Sequence, residues 1–184
     1  MSSRGMVMRK GVSPVIATVL LVVLTLVAVG ILAAFLIPFV NDSFKDSKEC
    51  FDVLGKVKFD MDSPYNCRVN GATGGTASAT GFSVRMDTDQ VFALKAVFTK
   101  SGRGNTYDIE NGTVTEGIRM LNGAVGGNLE VPFKGGVRTY VANDWYDRVE
   151  ISAVLKSGAV CDMREKLTVN DCVDPTVANE LITP

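Results

Sequence analysis

The chain has 184 residues, a formal net charge of −1 and no histidine, which removes the commonest general base and the usual Ser-His and Cys-His nucleophile pairs. Without Arg4, Arg9 and Lys10 the charge falls to −4, so no basic surface is left for nucleic acid. There is no G-x-x-x-x-G-K-S/T phosphate loop and no G-x-S-x-G nucleophile elbow, and the expectation is a chain that is not an enzyme and holds no cofactor.

Three basic residues, Arg4, Arg9 and Lys10, stand before a run without charge that extends from residue 11 to residue 41. Its apolar part, residues 12–40, is longer than the roughly 18 to 20 residues that a bilayer-crossing helix needs. A secretory signal peptide has an apolar stretch of about 7 to 15 residues. This run is about twice that, with only a weak small-residue site, and is better suited to retention. The basic flank predicts a cytoplasmic N-terminus and export of the rest. Ser13 and Pro14 suit the cap and first position of a helix. Pro38 predicts its end near Ile37, followed by a linker over residues 41–50. Ala17, Ala28, Gly30, Ala33 and Ala34 leave shallow places where another helix could approach.

Arg9, Lys10, Gly11, Val12, Ser13, Pro14, Val15 and Ile16, followed by the long apolar helix, resemble the N-terminus of an archaeal type IV pilin precursor with a class III signal peptide. The resemblance implies a cleaved leader, residues 1–11, cut between Gly11 and Val12 by a prepilin peptidase, with Arg9 and Lys10 holding the leader at the inner face. It implies a retained helix, residues 12–40, that serves first as a membrane anchor and then as a filament core. The partners implied are other copies of the chain, the prepilin peptidase, the pilus assembly machinery and, before assembly, the membrane. Bacterial type IV pilins carry glutamate at the fifth mature position, where this chain has Ile16. An archaellin shares the same plan, and the S-P-V-I stretch is closer to the pilin branch.

Beyond residue 50 the pattern changes to short apolar or alternating runs separated by glycine and asparagine, which is a β signature. Strands are expected at 52–59, 79–86, 90–99, 106–109, 117–121, 128–133, 137–141, 148–155 and 159–169, with a hairpin about Lys156-Ser157-Gly158. The fold class is therefore α+β: a long N-terminal apolar helix, then an all-β domain over residues 51–172 of type IV pilin-like, sandwich character. A C-terminal tail follows over residues 173–184. Residues 71–81, GATGGTASATG, are expected to be an exposed connection.

Cys50, Cys67, Cys161 and Cys172 all lie beyond the apolar run, and their even number outside the cell suggests two disulfides. Four cysteines allow three pairings; the favoured one joins Cys50 to Cys67 and Cys161 to Cys172. Reduced buried cysteines and a zinc site are the alternatives, the second weakened by the lack of histidine and of a C-x-x-C knuckle. Asn111 and Asn41 head N-x-S/T glycosylation triplets. The pairs Asp60/Asp62 and Asp87/Asp89 could ligate calcium but sit where aspartate usually braces turns. Tyr140, Trp145 and Tyr146 are expected to anchor a core rather than form a sticky patch. The expected function is that of a filament subunit with a role in adhesion or cell contact; the competing readings are an uncleaved single-pass anchor carrying a β-sandwich, and an archaellin.

Overall fold

The computed structural model of the protein describes residues 14–71, 77–161 and 164–183, with the backbone alone for helix residues 41–46. The chain divides into two units, Met1–Lys45 and Asp46–Pro184. Helix α1 (Pro14–Asp52) supplies the described part of the first unit, and its last turns belong to the second. The stretch Pro14–Val40 is long and apolar enough to cross a membrane.

The expected helix end near Ile37 and the linker over residues 41–50 are corrected by the structure: α1 continues through Pro38 to Asp52. One proline removes one backbone bond and crowds the preceding turn, at a cost of about 3 kcal/mol. It does not forbid helix on its far side, and no glycine follows until Gly55. There the helix unwinds through three-residue turns, with the N–H of Val53 donating to the Cys50 carbonyl (3.3 Å) and that of Lys56 to the Val53 carbonyl (3.0 Å). Gly55, at φ +70°, takes the left-handed conformation that glycine adopts without a steric cost.

The second unit is built on two sheets. Its strands are β1 (Val57–Phe59), β2 (Cys67–Val69), β3 (Ala79–Met86), β4 (Val91–Lys100), β5 (Arg103–Glu110), β6 (Ile118–Met120), β7 (Gly136–Ala142), β8 (Arg148–Leu155), β9 (Glu165–Thr168) and β10 (Asn170–Asp171). The larger sheet runs β10-β2-β3-β7-β6, with β1 also on β3; the smaller runs β5-β4-β8-β9. β1 and β2 share one edge of β3, opposite residues 84–86 and 79–80 respectively. Asn66 closes the gap between them, its Oδ1 accepting from the Ser83 N–H (2.8 Å) and its Nδ2 donating to the Asp60 carbonyl (2.7 Å). Backbone groups that the ladder would leave open are thereby satisfied.

The sheets face each other across an aromatic core. Phe82 of β3 meets Phe98 of β4 edge-on at 5.3 Å and stacks on Tyr140 of β7 at 5.2 Å. Phe98 in turn lies 5.2 Å from Tyr107 and 4.9 Å from Tyr146. Such pairs add about 0.5 to 1.5 kcal/mol each beyond the area they bury. Leu94, Ile109, Ile118, Leu129 and Ile151 fill the space around them and are fully buried. The expected sandwich is present.

The strand at 128–133 is not: Pro132 interrupts it, and its backbone instead pins the β5–β6 turn, the Leu129 N–H donating to Thr113 (2.7 Å) and the Val131 N–H to Asn111 Oδ1 (2.6 Å). The C-terminal tail is also corrected. Residues there form α2 (Pro175–Ile182), capped by Asp174, whose Oδ1 accepts from the Thr176 N–H at 2.8 Å. α2 buries Val177 and Leu181 in a second apolar cluster with Cys67, Ala79 and Val141.

Gly81 makes that docking possible. A Cβ there would collide with the Tyr65 carbonyl and stand 2.7 Å from Leu181 Cδ2. Gly81→Ala is therefore expected to lower stability by about 1 to 3 kcal/mol, seen as a lower urea midpoint; an unchanged midpoint would contradict the contact.

Candidate assembly surface

The first unit presents apolar side chains in every direction. From Val15 to Phe39 the large ones are 52% to 77% exposed, so among the described residues of this unit no face of the helix is covered. A helix apolar all round needs lipid or other helices about it. The two hydroxyls in the span turn inward: Thr18 Oγ1 donates to the Val15 carbonyl at 2.9 Å and Thr25 Oγ1 to the Val22 carbonyl at 2.8 Å. Ala17, Ala28, Gly30, Ala33 and Ala34 lie within this helix, and around Gly30 an added Cβ would meet nothing within 4 Å. The sequence-expected processing residues Arg9, Lys10, Gly11 and Val12 lie outside the described residues.

The four cysteines of the second unit form two disulfides, but not with the expected partners. Cys50 pairs with Cys161 (Cα–Cα 5.4 Å) and Cys67 with Cys172 (4.9 Å). The reason is that each pair belongs to a different apolar layer. Cys50, on the last turn of α1, and Cys161 pack into the core between the sheets. Cys67 and Cys172 lie in the cluster under α2, where β2 runs parallel to β10 with Cys67 opposite Asn170.

Tyr140 and Tyr146 are core residues, buried to 0% and 3% exposure. The Tyr140 hydroxyl donates to the Glu130 carbonyl (2.6 Å), and those of Tyr146 and Tyr107 lie 3.1 Å apart. Trp145 is half-buried beneath two cations, with Lys100 Nζ 4.6 Å and Arg68 Cζ 5.3 Å from its ring centre. Lys100 is held by Asp144 at 2.8 Å, and Arg68 by Asp147 at 2.6 Å and Asp171 at 2.9 Å. The Ser101 N–H, and after it Arg68, hold the Asp147 carboxyl below its ordinary range. Asp60 pairs with Arg85 (3.0 Å) and Asp87 with Lys58 (3.5 Å). No group of three or more potential metal ligands occurs among the described residues. Asn111 is exposed in the turn after β5, and the Asn41 side chain lies outside the description.

Burial, and then the Tyr146 hydroxyl, push Tyr107 up to about 12; burial raises Tyr140 well above its ordinary value. An unfolded tyrosine ionises near pH 10. Because the folded state holds these protons more tightly, their contribution to stability is complete below about pH 10 and declines as pH rises towards 12. Tyrosinate absorbance is expected to show Tyr107 and Tyr140 still protonated at about pH 11 in the folded domain; full ionisation of all tyrosines there would contradict this.

One residue that the sequence did not single out is Arg119. It is buried, and its guanidinium donates to the carbonyls of Met120, Leu121, Leu181 and Thr183 at 2.8 to 3.2 Å, tying the end of α2 to β6. Burial lowers its pKa from the usual arginine value. Nothing in a lone arginine between Ile118 and Met120 announces this.

Residues 10–45 match the family model described as Archaeal Type IV pilin, N-terminal. The chain carries an archaeal type IV pilin N-terminal segment. The matched stretch begins at Lys10, within the expected leader, and takes in the exposed apolar part of α1. It covers roughly a fifth of the chain, and a segment of this kind suggests a pilin- or archaellin-like subunit. No curated protein and no solved structure matches the chain.

Proposed function

We propose that this chain is the precursor of a structural subunit of an extracellular archaeal type IV pilus-like filament. A prepilin peptidase cuts it between Gly11 and Val12, and an assembly machinery moves α1 from the membrane into the filament, leaving the β-rich domain outward for surface adhesion or cell contact. The observation that carries this reading is the pilin N-terminal match lying on a helix whose large side chains from Val15 to Val40 are exposed. In water each of those side chains would forgo about 1.5 to 3 kcal/mol of burial, so the helix must exchange lipid directly for other helices. Two disulfides suit an oxidising exterior. Asn111, exposed in its turn, is the glycosylation site we assign.

Mass spectrometry of the exported protein is expected to find Val12 as the N-terminus, and electron microscopy to find filaments that contain the chain. A dominant N-terminus elsewhere defeats the processing step. Chain confined to membranes, with no filaments, favours an uncleaved anchor instead.

A further inference from the structure

Between Pro14 and Val40 the only side-chain hydrogen-bond donors are Thr18 and Thr25, and each donates to its own helix, at Val15 and Val22. Those two carbonyls already have a backbone N–H four residues on, so the hydroxyl is a second bond to each. Ala34 is the reverse case. The residue four positions beyond it is Pro38, which has no N–H, so the Ala34 carbonyl lacks the donor that its helical neighbours receive. Among lipid tails or packed helices no water can replace it.

Ala34 is nine residues from Thr25, which at 3.6 residues per turn is about two and a half turns. The two groups therefore lie on opposite sides of α1, while Thr18, seven residues from Thr25, shares the threonine side. Gly30, Ala34 and Pro38, spaced four apart, form one row on the other side. Gly30 and Ala34 keep that row shallow, so a second backbone can come close.

We infer that these two sides of α1 bind each other in successive copies, with the Thr25 hydroxyl of one donating to the Ala34 carbonyl of the next. This rests on the filament reading. The copies are parallel, because all enter the membrane in the same sense, and they are staggered by nine residues, or about 14 Å. A Thr18 contact would need a stagger of about 24 Å and would leave less than half of the span overlapped. Moving the Thr25 hydroxyl from Val22 leaves the Val22 carbonyl its helix bond and supplies one to Ala34. Since the donor and acceptor sides are different surfaces of one helix, the contact is heterologous and repeats without closing, which builds a filament and not a dimer.

The test uses filaments of the full-length chain carrying Thr25→Val, Pro38→Ala, both, or Thr18→Val, and measures the free subunit in equilibrium with filament in mild detergent. Thr25→Val is expected to raise free subunit about threefold to twentyfold, the range of one interhelical hydrogen bond in a membrane protein. In the Pro38→Ala chain, where Ala34 regains its N–H, Thr25→Val is expected to have no effect, and Thr18→Val none in either chain. An equal Thr25→Val effect in both backgrounds, no effect in either, or a Thr18→Val effect as large overturns the inference while the filament reading stands. A wild-type chain that forms no filament defeats that reading, and this inference with it.

Discussion

Replacing Cys50 and Cys161 together by serine is expected to lower the unfolding free energy of the β-rich domain by about 3 to 4 kcal/mol, and removing Cys67–Cys172 as well by about 8 in total. The bridges span 111 and 105 residues, and either alone closes a loop worth about 5 kcal/mol in the chain-entropy account. They are not independent. With one intact, the shortest path closed by the other is only the stretch from Cys50 to Cys67 plus that from Cys161 to Cys172, about 28 residues. The first bridge lost therefore costs less than the second. Against a typical domain stability of about 5 to 15 kcal/mol, loss of both leaves a domain marginal or unfolded. Denaturant titration of the single-pair and double-pair variants checks the order; two equal and additive losses would contradict the interlocked pairing. Non-reducing peptide mapping is expected to link Cys50 to Cys161, and a Cys50–Cys67 peptide would overturn it.

A chain that begins at Asp46 is expected to be soluble and monomeric with both disulfides formed, whereas the full chain partitions into detergent or membrane. All four cysteines, both sheets and α2 lie in the second unit, so the truncation removes no part of the core. What it removes is the exposed apolar span Pro14–Val40, whose side chains together represent tens of kcal/mol, on the order of 2 each, in transfer from water. Sedimentation velocity and detergent phase partition measure the difference. Aggregation of the truncated chain, or loss of its bridges, would show that the domain depends on the helix.

The apolar helix was legible because an uncharged run of that length has few other uses, and β3 and β8 were legible because apolar residues recur at every second position, Phe82, Val84 and Met86 in the one and Val149, Ile151 and Ala153 in the other. Their expected limits, 79–86 and 148–155, are those found. β2 and β10 have three and two residues, too few to show any period, and they are strands only because β3 and Cys67–Cys172 hold them in place. α2 did leave a signature: Asp174 before Pro175 is a cap and first position, and Val177 and Leu181 are one turn apart. The short length of that segment hid it. Pro38 misled because a local breaking tendency was set against a helix already long on one side and fixed at Cys50 on the other. The disulfide partners depend on which layer each cysteine enters, and that follows from sheet order, which no local spacing encodes.

The two bridges also decide how this protein bears tension. A pull transmitted along α1 reaches residue 50 and can pass straight across the Cys50–Cys161 bridge, so the 110 residues between its cysteines carry no obligatory load. Fully extended, that stretch would measure about 370 to 400 Å. With the bridge closed this hidden length cannot be drawn out between the helix and the C-terminal segment, even if the sheets between them unfold; with it reduced, Cys67–Cys172 takes over the load and frees only the short stretch before Cys67, so the pull can unravel the domain strand by strand only when both bridges are open. Whether the subunit behaves as a stiff link or as a shock-absorbing spring is thus set by two covalent bonds, either of which alone keeps most of the domain out of the load path.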